Sequence, residues 1–309
     1  MMADTPRWDI EGRDWPNRGA SRFVEAGGLR WHVQQMGAGP TLLMLHGTGA
    51  ATHSWRAFAP ALADRFTVIA PDLPGHGFTG ALPSKRMSLP GMAAAVHALL
   101  RELDCTPDLV LGHSAGAAIL IRMTLDGFIQ PRGLVSLNGA LMPWRGLPAH
   151  IFSPAAKLMA ANVLVARLFA RRAADRRVVE RLVESTGSAL EPAGVDLYQR
   201  LVRHPSHVGA SLAMMANWDL AALAPDLSRL EPPLFLVVGE GDLTVSPSEA
   251  RRVRERLPSA EVISLPGLGH LAHEERPEEV ADLVKGLADS WVSRIEEPVG
   301  LADRLGLPD

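Results

Sequence analysis

The sequence has almost no cysteine. Among 309 residues only Cys105 carries a thiol, so no disulfide can form within the chain, and a reducing compartment is expected. Cys105 sits in "LLRELDCTPD" with no histidine in the same short stretch, which fits a packing residue at a helix end better than a thiol nucleophile. Charge of one sign is also missing: 31 basic residues stand against 34 acidic ones, for a formal net charge of −3. No basic surplus is available to hold nucleic acid. Long apolar runs are absent, since no stretch approaches the roughly 18 residues of a membrane span. The opening "MMADTPRWDIEGRDWP" has no basic segment leading into an apolar one, so a signal peptide is not expected. These absences point to a cytoplasmic protein, at most peripheral to a membrane. No internal repeat or low-complexity tract is found.

What is present is a folding chain. The apolar fraction is 47% and the charged fraction 21%, too apolar for disorder. A chain of this length buries roughly three quarters of the surface it exposes unfolded. Its first half alternates short apolar runs with helical patterns. "SRFVEA" (21–26) and "RWHVQQM" (30–36) flank Gly27-Gly28 like a strand pair. "TLLMLHG" (41–47), "FTVIAPD" (66–72), "DLVLGHS" (108–114) and "GLVSLNG" (133–139) are nearly continuous apolar runs, as strands buried on both faces require. Helical stretches over 54–63, 90–103 and 115–126 separate them. From Pro143 to Pro225 no strand pattern occurs, and 153–172 has helical period with Ser153 and Pro154 at its start. Strands return at 233–242 and 260–270, followed by an amphipathic helix over 277–292 and a loosely held tail. The expected architecture is α/β: a mostly parallel eight-stranded sheet with helices on both faces. Residues 1–143 and 228–309 form its core, and 144–227 a helical cap.

Within "LVLGHSAGAAIL" (109–120), Gly112-His113-Ser114-Ala115-Gly116 ends a strand and opens a helix. G-x-S-x-G in that setting is the pattern of a nucleophile elbow. The glycines remove Cβ clashes in a tight turn, and the helix N-terminus favours negative charge at Ser114. A serine needs a base, and the order Ser, acid, His is expected here. Asp242 in "VVGEGD" and His270 in "LPGLGH" each follow a buried strand and supply it, with Asp242 fixing the imidazole tautomer. Glu240 is the substitute acid, closer to its strand; the loop after "GLVSLNG" offers only Asn138. The oxyanion-hole donors expected are the N–H groups of Ala115 and of Thr48 in "LHGTGA". His46, His53 and His76 read as structural. His273 reads as packing near the start of the last helix, with Glu274 and Glu275 as acids at that helix start. No metal site is expected.

In order, "LHGTGAATHSW", "PDLPGHG", "GHSAGA", "GEGD" and "GHLAHEERP" resemble the α/β-hydrolase superfamily over nearly the whole chain. "LRWHVQQMGAGP", "SLNGALMP", "TGSAL" and "MMANWDL" narrow the likeness to the magnesium-chelatase accessory proteins of bacteriochlorophyll biosynthesis. Ser246 departs from the hydrolase acid loop, where proline is usual, and leaves Asp242 in place. The resemblance implies a photosynthetic bacterium, a small apolar ligand such as an ester or a porphyrin, magnesium-chelatase subunits as partners, and no cofactor. It leaves three readings open: a serine hydrolase, a non-catalytic pigment carrier or chelatase-assisting scaffold, and a cofactor-free haloperoxidase-like enzyme. Ser114 in place of an aspartate disfavours a dehalogenase.

Two expectations concern the cap. Met159, Leu164, Leu168, Met214, Met215 and Trp218 are candidates for a substrate-pocket wall. Arg167, Arg171, Arg172, Arg176, Arg177 and Arg181 crowd fifteen residues that hold only Asp175 and Glu180 as acids. They form either a solvated face or a surface for an anionic partner: a membrane, an acidic subunit or porphyrin propionates.

Overall fold

The structure is a computed structural model that describes residues 4–143 and 163–296. Eight strands form one sheet: β1 (Ser21–Ala26), β2 (Leu29–Met36), β3 (Thr41–Leu45), β4 (Thr67–Pro71), β5 (Leu109–His113), β6 (Gly133–Leu137), β7 (Leu234–Gly239) and β8 (Glu261–Leu265). Their order is β1-β2-β4-β3-β5-β6-β7-β8. β2 runs antiparallel to both its neighbours, and the other five pairings are parallel. The eight-stranded, mostly parallel sheet agrees with the sequence reading.

The helices are α1 (Phe58–Leu62), α2 (Leu89–Glu102), α3 (Ala115–Leu125), α4 (Val163–Arg172), α5 (Arg176–Glu184), α6 (Pro192–Val202), α7 (Pro205–Ala216), α8 (Leu223–Asp226), α9 (Ser248–Arg254), α10 (Ala272–Glu275) and α11 (Pro277–Glu296). The helix expected over 54–63 is a 3₁₀ turn at Thr52–Trp55 followed by the short α1. That turn is pinned early, because the Thr52 N–H donates to the Asp72 carboxylate at 2.7 Å. The last helix continues past Val292 to Glu296.

Strand pleating sorts the apolar runs into two cores. Leu43, Leu45 and Val110 pack with Val96 and Leu99 of α2 and Ala118 of α3. Leu42, Met44, Leu109 and Leu111 pack on the other face with Phe58 of α1 and Val280 and Val284 of α11. Every residue of β5 and β6 is buried, and this is why those strands read as unbroken apolar runs. Because β3 to β8 are mutually parallel, the carboxyl ends of β3, β5, β6, β7 and β8 share one edge.

Helices α4 to α8 lie between β6 and β7 in the chain. They have their own small core, in which Ala166, Ala170 and Ala173 meet Val179, Val195, Val202 and Val208. The helix start expected at Ser153 and Pro154 lies outside the described residues, as does Met159.

Candidate active site

Ser114 is the residue between β5 and α3. Its backbone is at φ 52°, ψ −118°, a conformation that L residues hold only when their surroundings enforce it. The enforcement comes from close packing. A Cβ on Gly112 would meet the Ala117 N–H at 2.3 Å, and one on Gly116 would meet the Leu45 carbonyl oxygen at 2.2 Å. Only glycine permits helix and strand to approach this closely. The Ser114 N–H donates to the Leu137 carbonyl at 3.0 Å, and its own carbonyl accepts from Ala117 and Ala140, each at 3.2 Å.

The loop after β3 lies against this turn. A Cβ on Gly47 would come within 3.0 Å of the Ser114 Cβ. The Thr48 hydroxyl donates to the Met214 sulfur at 3.5 Å. Ala115 is the first residue of α3, so its N–H has no acceptor inside the helix. The loop that carries Thr48 and the N-terminus of α3 thus both adjoin Ser114.

The structure brings Asp242 and His270 together. The His270 Nδ1 is 2.7 Å from Asp242 Oδ2. The second oxygen, Oδ1, accepts from the N–H groups of Thr244 and Val245 at 2.7 and 2.8 Å. Both lone pairs of Oδ1 are thereby engaged, which holds the carboxylate with Oδ2 toward the imidazole, as an orienting group is held. Glu240, the alternative acid, is exposed. His270 is held from behind: its carbonyl accepts from His113 Nε2 at 2.9 Å and from Asn138 Nδ2 at 2.8 Å. His113 adjoins Ser114 in sequence, and its ring centroid lies 4.7 Å from that of His270.

Several supporting residues escaped the sequence reading. Asn138, at φ 44°, also accepts from the Gly239 N–H at 2.7 Å and donates to the Gly269 carbonyl at 2.8 Å. One amide therefore joins the ends of β6 and β7 to the histidine loop. A polar side chain closing the buried run "GLVSL" was the available signal. The segment Thr186–Ser188 inserts between the two loops that carry Asp242 and His270. The Thr186 carbonyl accepts from Leu243 at 3.1 Å and from His270 at 3.3 Å, and the Ser188 hydroxyl accepts from the Leu271 N–H at 2.8 Å. Glu275 accepts from the Gly269 N–H at 2.9 Å. Glu274 is buried, takes a hydrogen bond from the Tyr198 hydroxyl at 2.7 Å, and pairs with Arg56. Burial pushes its carboxyl up to about 7, against the pull of Arg56 and Tyr198. These two acids were expected only to favour a helix start; they tie the histidine loop to its surroundings.

Three further histidines, His46, His207 and His273, are buried, and burial lowers the pKa of each. His46 donates from Nδ1 to the Gly47 carbonyl at 2.8 Å and accepts the Leu73 N–H at 2.9 Å; burial lowers its pKa. His207, on α7, bridges from its Nε2 to the Gly49 carbonyl at 3.0 Å and accepts the Gly77 N–H at 3.2 Å; burial lowers it to about 4. His273 packs on Trp55 and His113, with ring centroids 4.6 Å away in each case, and burial lowers it to about 3. Cys105 is half-buried, and burial pushes its thiol up to about 11, the range of an unreactive thiol. Among the described residues no cluster of histidine, cysteine and carboxylate groups could hold a metal ion.

The candidate pocket residues separate into two groups. Met214 is fully buried and touches Thr48, and Trp218 packs partly buried against the core of α2 and α3. Leu164, Leu168 and Met215 are 68%, 58% and 54% exposed.

Comparison with known proteins accords with this geometry. The model of the alpha/beta hydrolase family matches residues 42–283. The "Magnesium-chelatase 30 kDa subunit" of Rhodobacter capsulatus is 38% identical over 281 residues, 90% of this chain and 96% of its own. A "Pimeloyl-[acyl-carrier protein] methyl ester esterase" of Aromatoleum aromaticum is 30% identical over 269 residues, 80% of this chain and 97% of its own. An alpha/beta hydrolase fold protein from Burkholderia ambifaria superposes with a TM-score of 0.70 at 24% identity, over 86% of this chain and 97% of its own.

Proposed function

Because the chain belongs to the alpha/beta hydrolase family, we propose that it is a serine hydrolase of a small apolar ester, working beside magnesium chelatase on a tetrapyrrole intermediate. The observation that carries the reaction is the strained Ser114 turn together with the 2.7 Å contact between Asp242 and His270. In this reading His270 Nε2 takes the Ser114 proton as Oγ attacks the substrate carbonyl, while Asp242 holds Nδ1–H and stabilises the imidazolium. The N–H groups of Ala115 and Thr48 receive the oxyanion. His270 then returns the proton to the leaving alcohol, and water cleaves the acyl-enzyme by the same route in reverse. Helices between residues 144 and 227 act as a cap, with Met214 and Trp218 at its inner side.

The tetrapyrrole setting rests on the 38% identity to a chelatase subunit, and the ester chemistry on the site and on the 30% identity to a methyl ester esterase. The same chelatase likeness favours a second reading, a non-catalytic assistant of the chelatase. Hydrolysis of a short p-nitrophenyl ester separates the two. The enzyme reading expects turnover that Ser114→Ala removes; equal background rates from wild type and variant support the scaffold.

A further inference from the structure

The outer face of α4 is built the wrong way round for water. Its small side chains, Ala166 and Ala170, point inward and are 3% and 4% exposed. At 100° per residue, the opposite face carries Leu164, Leu168 and Arg171, with Arg167 and Arg172 at its margins. Leu164 and Leu168 are 68% and 58% exposed, and Phe169 beside them 37%. A solvated helix places such residues inward. The next helix presents Arg177 and Arg181 outward, opposite its buried Val179 and Val183.

The charges on this face are only partly used. Arg176 is matched by Glu180 and Asp196, and Arg167 reaches Asp4. The Asp175 carboxylate accepts from the Arg177 N–H at the start of α5. Arg171, Arg172 and Arg177 have no acidic partner among the described residues. The result is a pair of exposed leucines on α4, followed toward α5 by guanidinium groups that have no acidic partner among the described residues, on a chain whose net charge is −3.

We propose that α4 and the start of α5 form a docking face for an anionic lipid bilayer. The arginines meet headgroup phosphates, and Leu164 and Leu168 enter the headgroup–acyl boundary, as on an interfacial helix. The leucines decide for a bilayer over an acidic protein, because they share the outward face of α4 with Arg171, the mixed apolar and cationic face of an interfacial helix. No helix among the described residues is long and apolar enough to cross a membrane, so the contact is peripheral. α4 packs on α7 through Ala166 and Gly209, and α7 carries Met214, which touches Thr48. Lipid contact is therefore one helix removed from the loop beside Ser114.

The test is co-sedimentation of the full chain with phosphatidylcholine vesicles, with and without 30% phosphatidylglycerol, at roughly 20 and 300 mM salt. Wild type binds the anionic vesicles at low salt and is largely released at high salt. Each arginine near the surface is worth about fivefold in partitioning, so R171Q/R172Q/R177Q lowers binding about 100-fold. L164S/L168S keeps the charge and still loses at least tenfold. Circular dichroism checks that both variants fold. No binding of wild type to anionic vesicles overturns the proposal. So does loss in the arginine variant with none in the leucine variant, which describes a face for an acidic protein.

Discussion

Gly187 lies so close to Gly241 that a Cβ on Gly187 would sit 1.9 Å from the Gly241 carbonyl oxygen. Gly187 belongs to the helical insertion between β6 and β7, and Gly241 immediately precedes Asp242. At this point the insertion is part of the framework that sets Asp242 against His270, with the adjoining Thr186 carbonyl bonded to both loops.

Replacing Gly187 with alanine should therefore harm the site. The residue sits at φ +81° and has no space for a methyl group. The conformation alone costs about 1–3 kcal/mol, and the clash with a backbone oxygen forces the two loops apart. Expected are a Tm lowered by several degrees and ester hydrolysis reduced at least tenfold. Gly286→Ala is a control at a position with open space; it should leave both unchanged.

Ser114, Asp242 and His270 should behave as one unit. Ser114→Ala, His270→Ala and Asp242→Asn are each expected to lower kcat by about 10³–10⁴-fold, and the double variants to lose little more. Glu240→Gln, at an exposed acid, should retain activity. Additive losses in the double variants would show that the three do not act together.

His207 is a strut for the loop that carries Thr48. Its ring joins the Gly49 carbonyl and the Gly77 N–H across two loops, from a helix distant in sequence. His207→Ala is expected to lower kcat about tenfold with little change in KM, since misplaced oxyanion donors weaken transition-state binding. His207→Gln retains a donor that reaches Gly49 and should recover part of the loss. A purely structural role would lower the amount of folded protein and leave kcat per folded molecule intact.

The buried histidines also set the acid limit of stability. His207 and His273 titrate near 4 and 3 when folded, against roughly 6.5 when unfolded. Between those values the unfolded chain holds more protons, so stability is complete above about pH 6.5 and falls as pH drops toward 4. Glu274 acts in the opposite sense. Its folded carboxyl, near 7, favours the folded state at low pH and loses that contribution as pH rises from about 4.5 to 7. Urea midpoints at pH 7.5, 5.5 and 4.5 check both signs. Wild type should weaken toward acid, and Glu274→Gln should weaken more steeply.

Much of the site was legible because its chemistry is local. The turn at Ser114 needs small neighbours within two residues, and they stand in the sequence as Gly112, Ala115 and Gly116. The sheet was legible because strands buried on both faces read as unbroken apolar runs. What escaped was contact made by backbone or over long separation. The Thr186 carbonyl could be any residue's carbonyl, and a separation of 131 positions between Asn138 and Gly269 leaves no local mark. On α4 the period announced a helix but not its orientation. Leucine is usually the inward residue, whereas here three alanines, Ala166, Ala170 and Ala173, fill the small core and turn Leu164 and Leu168 outward.

The central claim is that Ser114 is a working nucleophile, and the most direct measurement is covalent labelling. Purified protein is treated with a fluorophosphonate probe, digested, and its adduct located by mass spectrometry. The account predicts a single adduct on the peptide containing Ser114, absent in Ser114→Ala and strongly slowed in His270→Ala. Folded wild-type protein that stays unlabelled, or labels equally well without Ser114, would contradict it.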